Sequence, residues 1–291
     1  MSNKQKDKSH LYRLERFNPE RLARIPQEIA GYAQAINGLP QNHLEVFNKR
    51  GWLIPFLFTY DDLLWGRWSY WSDILLKGTI IGSQPIPQIE WVNNWSKQAE
   101  STKKMFESCM NHQEATIDSF ADWLLWGLAG TTEKPRVSEK LNEHYYRQFD
   151  LFLVLDNPTD YLSGILSDQT GKGYKAGLGY FPTPFNITRM MVEMCYVGDG
   201  DLEQMKRQTV YDPCVGCGAM LLPSSNYFLR GYGQDISGIA VKLSTIQMYF
   251  YAPWFAKPGQ VSGYDEVEAP IELFIDTYGK KKAAGQFAFS F

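Results

Sequence analysis

The sequence predicts an α/β protein: an N-terminal helical domain followed by a partial Rossmann-like sheet. Three observations lead there. Apolar residues in the first 170 positions recur at helical spacing, and eight of the nine tryptophans fall in that stretch. From residue 209 the order changes to strand, glycine turn, helix, strand, helix, the opening of an open parallel sheet. The expected domains are 1–170, helical and tryptophan-rich, and 171–291, which carries the sheet.

The elements follow in order. Residues 1–24 hold seven Lys and Arg against Asp7, Glu15 and Glu20, and read as a solvated terminus rather than a phosphate-binding arm. Leu22, Ile25, Ile29 and Tyr32 outline a helix with Pro26 inside it. Trp65, Trp68 and Trp71 are spaced to share a helix face, and Phe120, Trp123, Leu124 and Leu128 mark another. Packing of a helical core accounts for these aromatics better than base stacking does. The apolar run Leu151–Leu155 is followed by Asp156-Asn157-Pro158-Thr159-Asp160-Tyr161, which predicts a turn opening a helix over Asp160–Leu166. Gly164, Gly171, Gly173, Gly177 and Gly179 read as a connector. Gly171-Lys172-Gly173 lacks the glycine and the Ser/Thr that a phosphate loop requires.

Thr183 is placed to cap a helix, Pro184 suits its first position, and Phe185, Ile187, Met190, Met191 and Met194 follow. Thr209–Tyr211 is a strand entering the turn Asp212–Gly218. A helical stretch is expected through Tyr227–Leu229, shortened or restarted by Pro223. Gly231–Ile236 is the second strand, a helix spans Ala240–Tyr251, and the apolar run Gln286–Phe291 reads as the fourth strand.

Composition excludes several classes. With 44% hydrophobic and 21% charged residues the chain is globular, and its net charge of −3 does not by itself indicate nucleic acid. No apolar run approaches the roughly 20 residues of a membrane span, no secretory signal opens the chain, and four cysteines make no disulfide scaffold. A soluble, cytoplasmic protein without membrane contact is expected. Cys214-x-x-Cys217 has no second pair at metal-ligand spacing, so no metal site is assigned.

The chemistry concentrates at two strand ends. Gly216 and Gly218 let backbone approach a ligand closely, and Asp235 lies where an acidic residue accepts both hydroxyls of a ribose. Pattern alone gives a nucleoside-binding site. A nicotinamide cofactor is less natural, because residue 221 is Leu where a third glycine would stand.

Asp212-Pro213-Cys214-Val215-Gly216-Cys217-Gly218 resembles the S-adenosylmethionine motif of DNA adenine methyltransferases. It is most similar to the modification-subunit type of restriction–modification systems. Gly179-Tyr180-Phe181-Pro182-Thr183-Pro184 and Gly233-Gln234-Asp235-Ile236 resemble the family's flanking motifs, so the likeness covers about residues 179–252. The resemblance implies S-adenosyl-L-methionine as cofactor. Thr183 and Pro184 would hold its methionine part and Asp212 would face its ammonium group. Cys214, Gly216 and Gly218 would form the turn, Asp235 would hold the ribose, and Ile236 would pack on adenine.

The family also uses an Asn/Asp-Pro-Pro-aromatic tetrapeptide to hold a flipped adenine. No such tetrapeptide occurs here, so no catalytic residue is assigned. The 83 residues from 209 to 291 suffice for about half of such a sheet. The expectation is therefore a DNA adenine-N6 methyltransferase, or part of one, acting on DNA. A second polypeptide or further C-terminal segment would complete the sheet and recognise the target. The alternative is a catalytically incomplete binding module acting in DNA defence or as an interaction component.

Overall fold

Among the described residues up to 169, the helix signals are realised as eight α-helices. These are α1 (Pro19–Ala33), α2 (Ile54–Leu64), α3 (Arg67–Lys77), α4 (Lys97–Met110), α5 (Ile117–Gly127), α6 (Glu139–Gln148), α7 (Leu151–Asp156) and α8 (Leu162–Gln169). The structure is a computed structural model that describes residues 11–169, 182–196, 201–266 and 287–288. Helix starts follow the capping chemistry of the sequence. Ser96, Ser138 and Asp150 each accept a backbone N–H of the first turn, and Thr116 and Ser119 satisfy one another in a capping box. Pro26 is accommodated within α1.

Further along lie α9 (Phe185–Tyr196), α10 (Leu202–Arg207), β1 (Thr209–Asp212), α11 (Leu221–Ser224), β2 (Arg230–Asp235), α12 (Gly238–Tyr251) and α13 (Pro253–Ala256). β1 and β2 are parallel, with Asp212 opposite Gly233. The described residues are thus mostly helical around a small parallel sheet, consistent with α/β. Of the expected strand at Gln286–Phe291, Phe287–Ala288 is described and pairs antiparallel with Gln234–Asp235 of β2.

Three local expectations change. Gly164 lies within α8 rather than in a connector, while Gly171, Gly173, Gly177 and Gly179 lie outside the described residues. The helix after the glycine turn ends at Ser224 and does not reach Tyr227–Leu229. Pro223 lies in the first turn, where a missing N–H is tolerated, and beyond it the Ser225 carbonyl and hydroxyl are taken by Arg67. Arg13 and Arg16 of the basic terminus pair with buried Asp156, and Arg21 pairs with Glu28 and Asp62. Those three arginines therefore serve the fold rather than solvent.

One hydrophobic core runs from Val46 to Phe255, with Trp71, Trp123 and Trp254 fully buried. α12 is its spine, packed on α5 and α8. A helix leaves its last carbonyls without intrahelical partners, and here α3 satisfies two of them. The Trp68 indole donates to the Tyr249 carbonyl at 3.1 Å, and the Arg67 guanidinium donates to that of Tyr251. Arg67 also binds Ser225 Oγ at 3.0 Å and Asn226 Oδ1 at 3.2 Å, and stacks 4.4 Å from the centre of the Trp254 ring. Burial lowers its pKa to about 9, so it stays charged at neutral pH, complementing the negative end of the α12 dipole. Neighbouring Asp61 is pushed the other way, up to about 7, chiefly by its own burial.

Candidate functional site

The site lies at the carboxyl ends of β1 and β2, where an open parallel sheet places its ligand. β1 ends in Asp212, whose Oδ1 accepts the Cys214 N–H at 3.0 Å and folds the chain back into the glycine turn. Gly216 and Gly218 have φ of +52° and +94°, the left-handed region that glycine enters without strain. A Cβ at Gly218 would stand 2.6 Å from Met248 Cε and 2.8 Å from Ser244 Oγ of α12, so the turn seats directly on that helix. A Cβ at Gly233 would meet Val215 at 2.7 Å, which explains the small residue opposite Asp212.

Asp235 latches the two strand ends together. Its Oδ2 accepts the Gly216 N–H at 2.9 Å and its Oδ1 accepts the Ser237 N–H at 2.8 Å. Ser237 then caps α12. The Val215 N–H reaches the Gln234 carbonyl at 2.9 Å, closing the same junction from the main chain.

Between this junction and the start of α9 lies a cavity of about 400 Å³. Among the described residues its lining includes the carboxylates of Asp212 and Asp235 and no Lys, Arg or His. Burial raises the pKa of Asp212, and the negative charge of Asp235 raises it further. Two carboxylates close enough to repel one another, with no cation in the lining, make a site that a positively charged ligand relieves. Ile236, 59% exposed, offers an apolar surface at the rim.

Of the eight residues the sequence singled out, Thr183, Asp212, Cys214, Gly216, Asp235 and Ile236 line this one cavity. Two do not. Gly218 faces α12, and Pro184 opens α9, its carbonyl accepting the N–H groups of Ile187 and Thr188. α9 accordingly begins one residue later than expected. Gly179, Tyr180 and Phe181 lie outside the described residues. Sequence reasoning missed Ser163 and Thr188, which also line the cavity. Thr188 sits one helical turn beyond Pro184, a spacing that could have flagged it, whereas Ser163 carries no local signal.

Residues 160–252 match the N-6 DNA Methylase family model. The match covers about a third of the chain and takes in all eight of those residues. It supports an N6 DNA methyltransferase affiliation for the segment that builds the cavity. It begins at Asp160, ahead of the glycine-rich stretch, and ends at Ala252, the residue that closes α12. No curated protein and no solved structure matches the chain. Among the described residues no helix is long and apolar enough to cross a membrane. Among the same residues no group of three or more His, Cys, Asp or Glu is placed to hold a metal ion.

Proposed function

We propose that this chain is the cofactor-holding part of a cytoplasmic DNA adenine-N6 methyltransferase of modification-subunit type, with S-adenosyl-L-methionine bound in the cavity between β1, β2 and α9. The observation that carries the reading is the lining itself: two carboxylates and a glycine turn, with no basic side chain among the described residues, inside the segment matched by the family model. S-adenosylmethionine carries an ammonium and a sulfonium, and when bound it supplies an electrophilic methyl group.

The chain's residues divide the work of binding. Asp212 faces the ammonium. Asp235 accepts the ribose hydroxyls, for a carboxylate has about four acceptor positions and the backbone N–H groups of Gly216 and Ser237 occupy two of them. Those same N–H bonds hold the carboxylate in place before the ligand arrives. Ile236 packs against the adenine, Cys214 and Gly216 line the turn, and Thr183 holds the methionine end, placed there by Pro184 at the start of α9.

The target adenine must leave the duplex stack to present its amine, and the Asn/Asp-Pro-Pro-aromatic group for that step is absent from the sequence. A second polypeptide or a further segment supplies it, together with target recognition. Two features support such a partner. Among the described residues the outer edge of β1 has no neighbouring strand, and an unpaired edge recruits one. The face of α9 beside the cavity exposes Ile187, Met190, Met191 and Met194.

Titration calorimetry with S-adenosylmethionine tests the assignment. Wild-type protein is expected to bind, and Asp235→Ala to bind at least about tenfold more weakly. Equal affinity of the two proteins, or no binding by the wild type, would refute it.

A further inference from the structure

Behind the cavity, Asp160 and Gln247 form a buried pair, 2% and 1% exposed, that lies outside the three cofactor motifs. Asp160 Oδ1 accepts the Ser163 N–H at 3.1 Å, fixing the first turn of α8. The same oxygen accepts from Gln247 Nε2 at 2.9 Å. Gln247 Nε2 also donates to the carbonyl of Cys217 at 2.7 Å. One primary amide thus uses both its hydrogens, one on α8 and one on the glycine turn, while its own backbone is in the middle of α12.

The consequence concerns the turn. Gly216 is held through its N–H by Asp235, and Cys217 through its carbonyl by Gln247. The peptide between Cys217 and Gly218 is then held at both ends, its N–H by the Val215 carbonyl at 2.7 Å and its carbonyl by Gln247, with Gly218 at positive φ. Asp160 in turn orients the Gln247 amide: a carboxylate accepts only, so it selects the Nε2 side. Ser163, whose N–H Asp160 holds, lines the cavity. The pair therefore governs two walls of the site at once, and the family match begins at Asp160.

We propose that Asp160 and Gln247 are positioning residues for the cofactor turn, setting its shape and hence the affinity of the cavity for its ligand. The affinity part rests on the S-adenosylmethionine reading above, whereas the shape of the turn does not.

Two variants of the full chain separate positioning from mere stability. Gln247→Glu removes both donors and puts a second carboxylate beside Asp160. It is expected to lower Tm and to raise the Kd for S-adenosylmethionine about tenfold or more. Adding Asp160→Asn gives the pair a donor again, from Asn to Glu, so α8 and α12 are rejoined and Tm recovers. Glu offers the Cys217 carbonyl no N–H, so in this double variant the Kd is expected to stay raised. Return of both Tm and Kd to wild-type values would reduce the pair to a structural tie and overturn the proposal.

A readout that needs no cofactor keeps the two ideas apart. Cys214 and Cys195 are exposed while Cys217 and Cys109 are buried. In a Cys195→Ser background one thiol should react rapidly with a disulfide reagent, and in the double variant Cys217 should become a second. Reactivity confined to Cys214 in the double variant would overturn the positioning role. Two reactive thiols together with a wild type that does not bind S-adenosylmethionine would uphold the pair's hold on the turn and refute the cofactor assignment alone.

Discussion

In the helical half six of the eight indoles lie inside: Trp52, Trp68, Trp71, Trp91, Trp123 and Trp126 are at most 8% exposed, whereas Trp95 is 85% exposed. On α9, beside the cavity, Ile187, Met190, Met191 and Met194 are 37–75% exposed. Both stretches carry apolar residues at helical spacing, so periodicity alone does not separate them. What separates them is the supply of facing surface. Around α5 the chain folds α4, α8 and α12 into contact, and the buried indoles find apolar neighbours. α9 buries Phe185, Thr188 and Val192 on its inner side and still has an apolar outer side. A helix apolar on both sides is one that needs covering on both.

The largest effect is expected where the two regions meet. Arg67, on a helix of the first region, binds Ser225 and Tyr251 of the second out of water, and part-buried Asn226 beside them. Arg67→Ala strands these acceptors and is expected to lower the unfolding free energy by about 3–5 kcal/mol in a denaturant titration. A loss below about 1 kcal/mol would mean that apolar packing alone joins the regions. The comparison above would then have no polar seam.

Arg67 also shows what the sequence concealed. A lone arginine before a tryptophan reads as surface, because charged residues are rarely buried unless paired. Its partners lie 158 to 184 positions away. Asp160 and Gln247 are hidden for the same reason, their contact spanning 87 positions with no local signature. The legible parts were those whose chemistry is local. The Asp212–Gly218 turn needs its glycines and acid in consecutive places, and β2 ends in Asp235 within the expected strand. Six of the eight expected site residues line one cavity because motif and geometry are the same fact there. The limits of α11 were not legible, since they depend on what Arg67 does to Ser225.

A smaller effect is expected at Asp61, which shares this seam and accepts the Trp68 N–H at 2.7 Å. Burial raises its pKa to about 7. A carboxyl raised in the folded state stabilises fully below its unfolded pKa, and that contribution is lost as pH rises through the folded value. The wild type should therefore lose stability relative to Asp61→Asn between about pH 4 and pH 7, and level off above. With the rise to about 7, the difference should be at most about 4 kcal/mol across that window. Denaturant titrations at several pH values measure it, and parallel curves for the two proteins would show that Asp61 ionises normally.

The smallest effect is expected on the face of α9, and its smallness is the point. Glutamine has nearly the helix propensity of methionine, and Met190 and Met194 are 49% and 75% exposed. If nothing covers that face in the isolated chain, Met190→Gln with Met194→Gln should change the unfolding free energy by no more than about 0.5 kcal/mol. The contrast with the buried indoles would then stand as drawn. A loss of more than about 1 kcal/mol, independent of protein concentration, would mean that the chain itself packs over α9. A loss that grows with concentration would mean that a second copy does, since association stabilises the folded state by mass action. Either result would move the partner's contact away from the methionines and onto the unpaired edge of β1.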